Sequence, residues 1–215
     1  MKPLSQCLLY AFVDTAYLNG RPVEMVAQQL CQGGADLIQL RAKDFPIEEV
    51  RRMAQAIVPI TRNAGAGLVI NDHLSIAREV GADFCHLGQE DFAETGCKSV
   101  SELYQDGNRI GIGLSTHSPD QARLSLEANA DYIAIGPVYP TGTKPTAKPV
   151  TLDYVRWAAA NVNIPWFAIG GIHLRNLNEV VAAGARRVCV VSAILNQPDI
   201  RTVCEAFKRR LAGAD

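Results

Sequence analysis

Gly33-Gly34-Ala35-Asp36, Gly81-Ala82-Asp83, Asn129-Ala130-Asp131 and Gly184-Ala185-Arg186 are near-copies of one phrase. In each, Gly or Asn suits the left-handed position that ends a helix, and Ala then lets the chain turn tightly into a strand. A recurring helix-to-strand junction implies a repeated β–α unit. Working outward from the copies, short apolar runs bounded by turn residues occupy residues 8–13, 36–40, 67–71, 83–87, 109–113, 131–135, 165–169 and 187–191. Buried parallel strands read this way. The segments between them carry helical periodicity. Residues 47–61 place Val50, Met53, Ala54, Ile57 and Val58 on one stripe, and residues 23–31, 119–127, 152–160, 176–183 and 203–211 read alike. The pattern predicts an α/β protein, a single (β/α)8 barrel spanning residues 1–215, with no linker or low-complexity stretch to divide it. A doubly wound open sheet is the alternative. It usually has fewer strands, and no G-x-G-x-x-G comes after the first strand here.

Composition narrows the function classes. With 21 Lys+Arg against 22 Asp+Glu the formal net charge is −1, which argues against a protein that holds nucleic acid through a basic surface. No apolar run approaches the roughly 18 residues of a membrane-spanning helix. The run from Cys7 to Val13 meets Asp14 with no small-residue cleavage site, so it reads as a strand and not as an export signal. Cys7, Cys31, Cys85, Cys97, Cys189 and Cys204 form no C-x-x-C pair. They read as free thiols in a reducing compartment, hence a cytoplasmic protein.

A barrel of this kind gathers its chemistry beyond the C-terminal ends of its strands. The second strand runs into Gln39-Leu40-Arg41-Ala42-Lys43-Asp44, and alternation sends Gln39, Arg41 and Lys43 to one side. Two cations and an amide there suit a multiply charged anion. The third strand ends in Asn71-Asp72 and the fourth in His86-Leu87-Gly88-Gln89-Glu90-Asp91. Asp72 and Asp91 thus leave adjacent strands at one rim, where they fit either a shared Mg²⁺ or two helix N-caps. His86 fits a satisfied core histidine. After the fifth strand, Ser118-Pro119 reads as a helix start, which frees Ser115 to donate into a site. Ser115 and His117 do not form a hydrolase pair, since no nucleophile elbow surrounds them.

The most distinctive segment is Gly136-Pro137-Val138-Tyr139-Pro140-Thr141-Gly142-Thr143-Lys144. Its prolines make it rigid but not helical, and its hydroxyls, Gly142 and Lys144 suit a phosphate; a lid that touches no ligand is the alternative. Ile169-Gly170-Gly171-Ile172 and Val191-Ser192-Ala193-Ile194 close the last two strands. In such barrels those loops often hold phosphate through backbone N–H groups.

Taken in order, these motifs resemble the thiamine-phosphate synthase family from about Gly34 to Ile194. The resemblance implies the (β/α)8 fold and a reaction that joins 4-amino-2-methylpyrimidin-5-ylmethyl diphosphate to thiazole phosphate, or to its carboxylated tautomer, with release of pyrophosphate. It implies a pyrimidine-diphosphate site of Gln39, Leu40, Arg41, Ala42, Lys43, Asn71, Ser115 and Lys144. It further implies Mg²⁺ ligands Asp72 and Asp91, and a thiazole-phosphate site of Thr141, Gly142, Thr143, Gly171, Val191 and Ser192. Arg41, Lys43, Ser115 and Lys144 carry the catalytic roles in this reading. The partners implied are small molecules, with no nucleic acid and no membrane; whether the chain forms a homo-oligomer stays open. Three stretches depart from the family pattern. Phe12-Val13-Asp14 stands where Val-Thr-Asp is common, and Ala42 and His73 stand where acidic residues are common. The departures bear on metal affinity and efficiency more than on the reaction. A thiazole tautomerase would not need the Asn71, Asp72 and Asp91 set together with Gln39, Arg41 and Lys43. A silent barrel that binds phosphorylated metabolites would be expected to have lost the carboxylate pair.

Overall fold

The computed structural model describes residues 1–104, 109–142 and 148–213. Eight parallel strands close a barrel in chain order: β1 (Leu9–Asp14), β2 (Leu37–Arg41), β3 (Gly67–Asn71), β4 (Phe84–Leu87), β5 (Gly111–Thr116), β6 (Tyr132–Ile135), β7 (Trp166–Ala168) and β8 (Val188–Val190). Around it lie α1 (Val23–Gln32), α2 (Ile47–Ala64), α3 (Leu74–Val80), α4 (Gln89–Glu94), α5 (Pro119–Glu127), α6 (Thr151–Asn161), α7 (Leu177–Ala182), α8 (Ser192–Leu195) and α9 (Ile200–Ala212). The barrel expected from the sequence is the one found. The stripe on α2 buries Val50, Ala54, Ile57, Val58 and Thr61, and Gly65, at φ +68°, ends the helix in the left-handed conformation.

The recurring junction has a role at its last position that the sequence pattern does not announce. Asp36 accepts from the N–H groups of Leu8 and Leu9 at 2.7 and 3.0 Å. Asp83 accepts from Leu68 N–H at 2.8 Å, and Asp131 from Ile112 N–H at 2.8 Å. Each carboxylate that opens an even-numbered strand therefore latches onto the start of the strand before it. Asp36 also meets the ammonium groups of Lys2 and of Lys208 on α9, so both ends of the chain converge on the first latch. In the fourth copy Arg186 takes this place, and the β7–β8 register is a single pair, Ala168 with Val188.

The barrel interior is aromatic. Tyr10, Tyr132 and Phe167 meet edge to face with centroids 5.3–6.0 Å apart, within the range where such pairs attract. Room for them comes from β5, where a Cβ on Gly113 would fall inside the Tyr132 ring and one on Gly111 inside the Phe84 ring.

Several boundaries differ from the sequence expectation. β5 runs to Thr116 instead of ending at Gly113, because the polar end of the strand is satisfied internally. Thr116 Oγ1 donates to Ala134 O at 2.9 Å and accepts from Tyr154 OH at 2.8 Å. α9 starts at Ile200, three residues early, because Asp199 caps it by accepting from Thr202 N–H at 3.0 Å. All six cysteines are free. No helix among the described residues is long and apolar enough to cross a membrane.

Candidate active site

A cavity of about 1020 Å³, its open mouth included, sits at the C-terminal ends of the strands. Gln39, Arg41 and Lys43 reach it from β2 and the loop beyond, and Asn71 and Asp72 from β3. Asp91 and Ser115 line it from the helix after β4 and from β5, and Thr141, Gly171, Val191 and Ser192 line the opposite side. Gly142 lines an adjoining surface cleft that shares Thr141, Gly171 and Ser192 with the cavity. Thr143 and Lys144 lie outside the described residues. The side chains of Leu40 and Ala42 are buried and do not line the cavity. The alternation that turns Gln39 and Arg41 inward turns these two toward the helices, leaving only their main chain to meet a ligand.

The cationic end is held by carboxylates. Arg41 Nη1 donates to Asp14 Oδ2 at 2.9 Å, with Asp14 almost fully buried. Lys43 Nζ lies 3.4 Å from Asp72 Oδ2. Asp72 adopts φ +64°, a left-handed conformation that Asp tolerates better than most residues. Its N–H donates to His86 O at 2.9 Å. Burial holds the Asp72 carboxyl above its ordinary value; the Lys43 charge opposes this, and the nearby Asp91 charge adds to it.

Neither aspartate is the N-cap that the sequence left open. His73 occupies the N-cap of α3, with no side-chain bond. Asp91 sits one turn into α4, where its Oδ2 accepts from Gly88 N–H at 2.9 Å. Ser118 does cap α5, accepting from Gln121 N–H at 3.3 Å. His117 lines the cavity and bonds Gly136 O through Nδ1.

Beneath the charged rim, a chain of hydrogen bonds crosses the barrel. Gln39 Nε2 donates to Tyr10 OH at 2.9 Å, and Tyr10 OH meets Tyr132 OH at 3.0 Å. Tyr132 OH meets His86 Nδ1 at 3.1 Å, and His86 Nε2 meets Ser115 Oγ at 2.9 Å. Nothing in the linear sequence joins these residues, since Tyr10 and Tyr132 sit in apolar runs and His86 fits a core position. The available signal is period two: Tyr10, Phe12 and Asp14 share one face of β1, as His86 and Phe84 share one face of β4.

On the opposite side, Val138 N–H donates to Ile169 O at 2.8 Å and Tyr139 N–H to Gly170 O at 3.1 Å. The segment after β6 therefore runs alongside the end of β7, and the Gly136–Pro137 peptide is cis. Gly170 and Gly171 have φ of +101° and +64°. A Cβ on Gly170 would strike Pro137, and one on Gly171 would lie 2.7 Å from Pro140 O and from Tyr139 Cβ. The glycine pair thus allows this close approach of two main chains at the cavity wall.

The family model described as thiamine monophosphate synthase matches residues 9–194. A Thermus thermophilus thiamine-phosphate synthase is 41% identical over 182 residues, covering 84% of this chain and 85% of that protein. One from Acidothermus cellulolyticus is 40% identical over 213 residues, covering 98% of each. Among solved structures, a thiamine phosphate pyrophosphorylase from Pyrococcus furiosus superposes with a TM-score of 0.86 at 27% identity, covering 98% of both chains. With most of its length matched by the family model and by these relatives, the chain belongs to the thiamine monophosphate synthase family and is an enzyme of that family.

Proposed function

We propose that this enzyme joins 4-amino-2-methylpyrimidin-5-ylmethyl diphosphate to thiazole phosphate, or to its carboxylated tautomer with added loss of CO₂, and releases pyrophosphate. The observation that carries the reading is one cavity with two unlike ends. Arg41, Lys43, Asn71, Asp72 and Asp91 line one side, and Gly171, Val191 and Ser192 line the other. In this reading Arg41 and Lys43 grip the diphosphate, Gln39 and Ser115 hold the pyrimidine ring, and Thr141, Gly171, Val191 and Ser192 hold the thiazole phosphate. Lys144 and Thr143 belong to the same proposal by resemblance alone.

The C–O bond to pyrophosphate breaks ahead of attack by the thiazole nitrogen, leaving a pyrimidinylmethyl cation that its electron-rich ring stabilises. Such a step asks little acid–base work of the protein. Arg41 and Lys43 neutralise charge as it develops on the leaving group, and Asp14 keeps Arg41 in place for this. The cavity walls hold the two rings in attack geometry. Asp72 and Asp91 fit a Mg²⁺ ion: both are oxygen donors, and both line the cavity that Arg41 and Lys43 also line. Mg²⁺ commonly binds through one or two carboxylates plus water and substrate phosphate. When bound, the ion would supply further positive charge against the leaving pyrophosphate.

The test mixes purified protein with both substrates and Mg²⁺, and detects thiamine phosphate by its fluorescent oxidation product. Metal-dependent product, lost on adding EDTA, is the expected result. Isomerisation of the thiazole without joined product would mean a tautomerase. Binding of thiazole phosphate without any turnover would mean a silent barrel.

A further inference from the structure

The hydrogen-bond chain across the barrel has a direction, and the direction bears on which ring the site accepts. Each phenol has one proton to give, and a neutral imidazole donates from one nitrogen and accepts at the other. Both tyrosines are fully buried, and burial holds their hydroxyls well above the ordinary phenol range, so both stay protonated. Gln39 Nε2 donates to Tyr10 oxygen, so the Tyr10 proton goes to Tyr132 and the Tyr132 proton to His86 Nδ1. His86 then carries its proton on Nε2 and gives it to Ser115 Oγ. The Ser115 proton is left to point elsewhere. At the other end, the Gln39 amide commits one of its two N–H groups to Tyr10, and its carbonyl oxygen can be offered to the cavity that the residue lines. Turning the Gln39 amide over would reverse every bond and exchange the two ends. In the first polarity the chain leaves the Ser115 proton free to donate; in the reversed one it takes that proton up.

We propose that Tyr10, Tyr132 and His86 form a proton-ordered relay that sets Ser115 as donor and Gln39 as acceptor, so that the site selects a 4-aminopyrimidine over its 4-oxo counterpart. The relay rests on the proposed reaction. A 4-aminopyrimidine offers an amino N–H beside an unprotonated ring nitrogen, which complements an acceptor and a donor. The 4-oxo ring offers a carbonyl beside a ring N–H, which is the inverse. Sites built to hydrogen-bond one pattern reject its mismatch strongly, because buried polar groups are left unpaired. Tyr132 does not line the cavity. It is a positioning residue, acting on the ligand through His86 and Ser115.

The test is calorimetric binding of the aminopyrimidine diphosphate and its 4-oxo analogue to wild type and to Tyr132→Phe. Wild type is expected to prefer the amino ring by about 100-fold or more. Tyr132→Phe is expected to reduce that ratio at least about tenfold, with thiazole phosphate affinity within about twofold of wild type. An unchanged ratio with both rings weakened equally would make Tyr132 a packing residue and overturn the relay. Wild type binding both rings without preference would overturn the relay alone, whereas binding neither would overturn it together with the proposed reaction. A second measurement reads the wild-type protein directly: the imidazole ¹⁵N spectrum, with the His86 signals assigned by their loss in a folded His86→Gln variant. The expected form is protonated on Nε2 and bare on Nδ1. A proton on Nδ1 overturns the proposed polarity.

Discussion

Asp14 and Arg41 are direct partners in the β1–β2 register, and the guanidinium of one donates to the carboxylate of the other over 2.9 Å. Strand pairing thus fixes where the fork sits before any ligand arrives. Asp14→Ala would leave a mostly buried cation without its partner. The expected cost is roughly 3 kcal/mol of stability, read by urea unfolding. In the assay, the KM for the pyrimidine diphosphate should rise about tenfold while that for thiazole phosphate stays near wild type. Equal changes in both would detach Arg41 from the diphosphate.

Asp91 has a structural duty as well as its proposed one. Asp91→Ala removes the bond to Gly88 N–H, a loss of about 1 kcal/mol by analogy with other helix caps. The fold should survive this, with an unchanged far-ultraviolet dichroism spectrum, while Mg²⁺-dependent turnover disappears. A near-normal rate in the variant would remove Asp91 from the metal site.

Ser192 lies at the far end of the cavity from Arg41 in the proposed division of the site. Ser192→Tyr should crowd the thiazole-phosphate end and raise the KM for thiazole phosphate more than that for the pyrimidine diphosphate. Steady-state kinetics with each substrate varied in turn would read the difference. Equal rises would contradict the division.

The first strand latch titrates. Burial alone would raise the Asp36 carboxyl, but hydrogen bonds from Lys2, Lys208 and the Leu8 and Leu9 N–H groups outweigh it and hold it below its ordinary value of 3.8. The unfolded chain therefore binds this proton more readily than the folded one. Its contribution to stability is complete above the ordinary carboxylate range and fades as pH falls through the depressed value. Asp36→Asn should cost about 2 kcal/mol near neutral pH. The gap between variant and wild type should narrow in acid, as unfolding curves from about pH 7 to pH 2 would show on this linkage argument. A gap independent of pH would mean that the charge is not what matters there.

Much of the fold is legible in the sequence, for reasons that differ by element. The strands read clearly because parallel strands buried on both faces are continuous apolar runs. α2 reads clearly because a long helix repeats its stripe several times. α4 and α8, at six and four residues, are too short to show a period at all. At the site, Arg41, Lys43 and Asp72 stand out as charges at strand ends. Tyr10, Tyr132 and His86 do not, because a buried polar group satisfied by another buried polar group looks apolar in a linear sequence. Asp36, Asp83 and Asp131 are visible as a repeated letter, but their partners lie one strand back and about 15 to 28 residues away.

Those latches divide the barrel into staves joined in twos, and the last stave has no rivet. Arg186 stands where a carboxylate would be, and β7 and β8 share one register pair against five for β1 and β2. Gly171 and Ser192 lie just beyond the C-terminal ends of these two strands. A phosphate gripped by both would span them from above. The bound ligand would then supply, between these two strands, the cross-strand tie that a carboxylate supplies at the other three pairs.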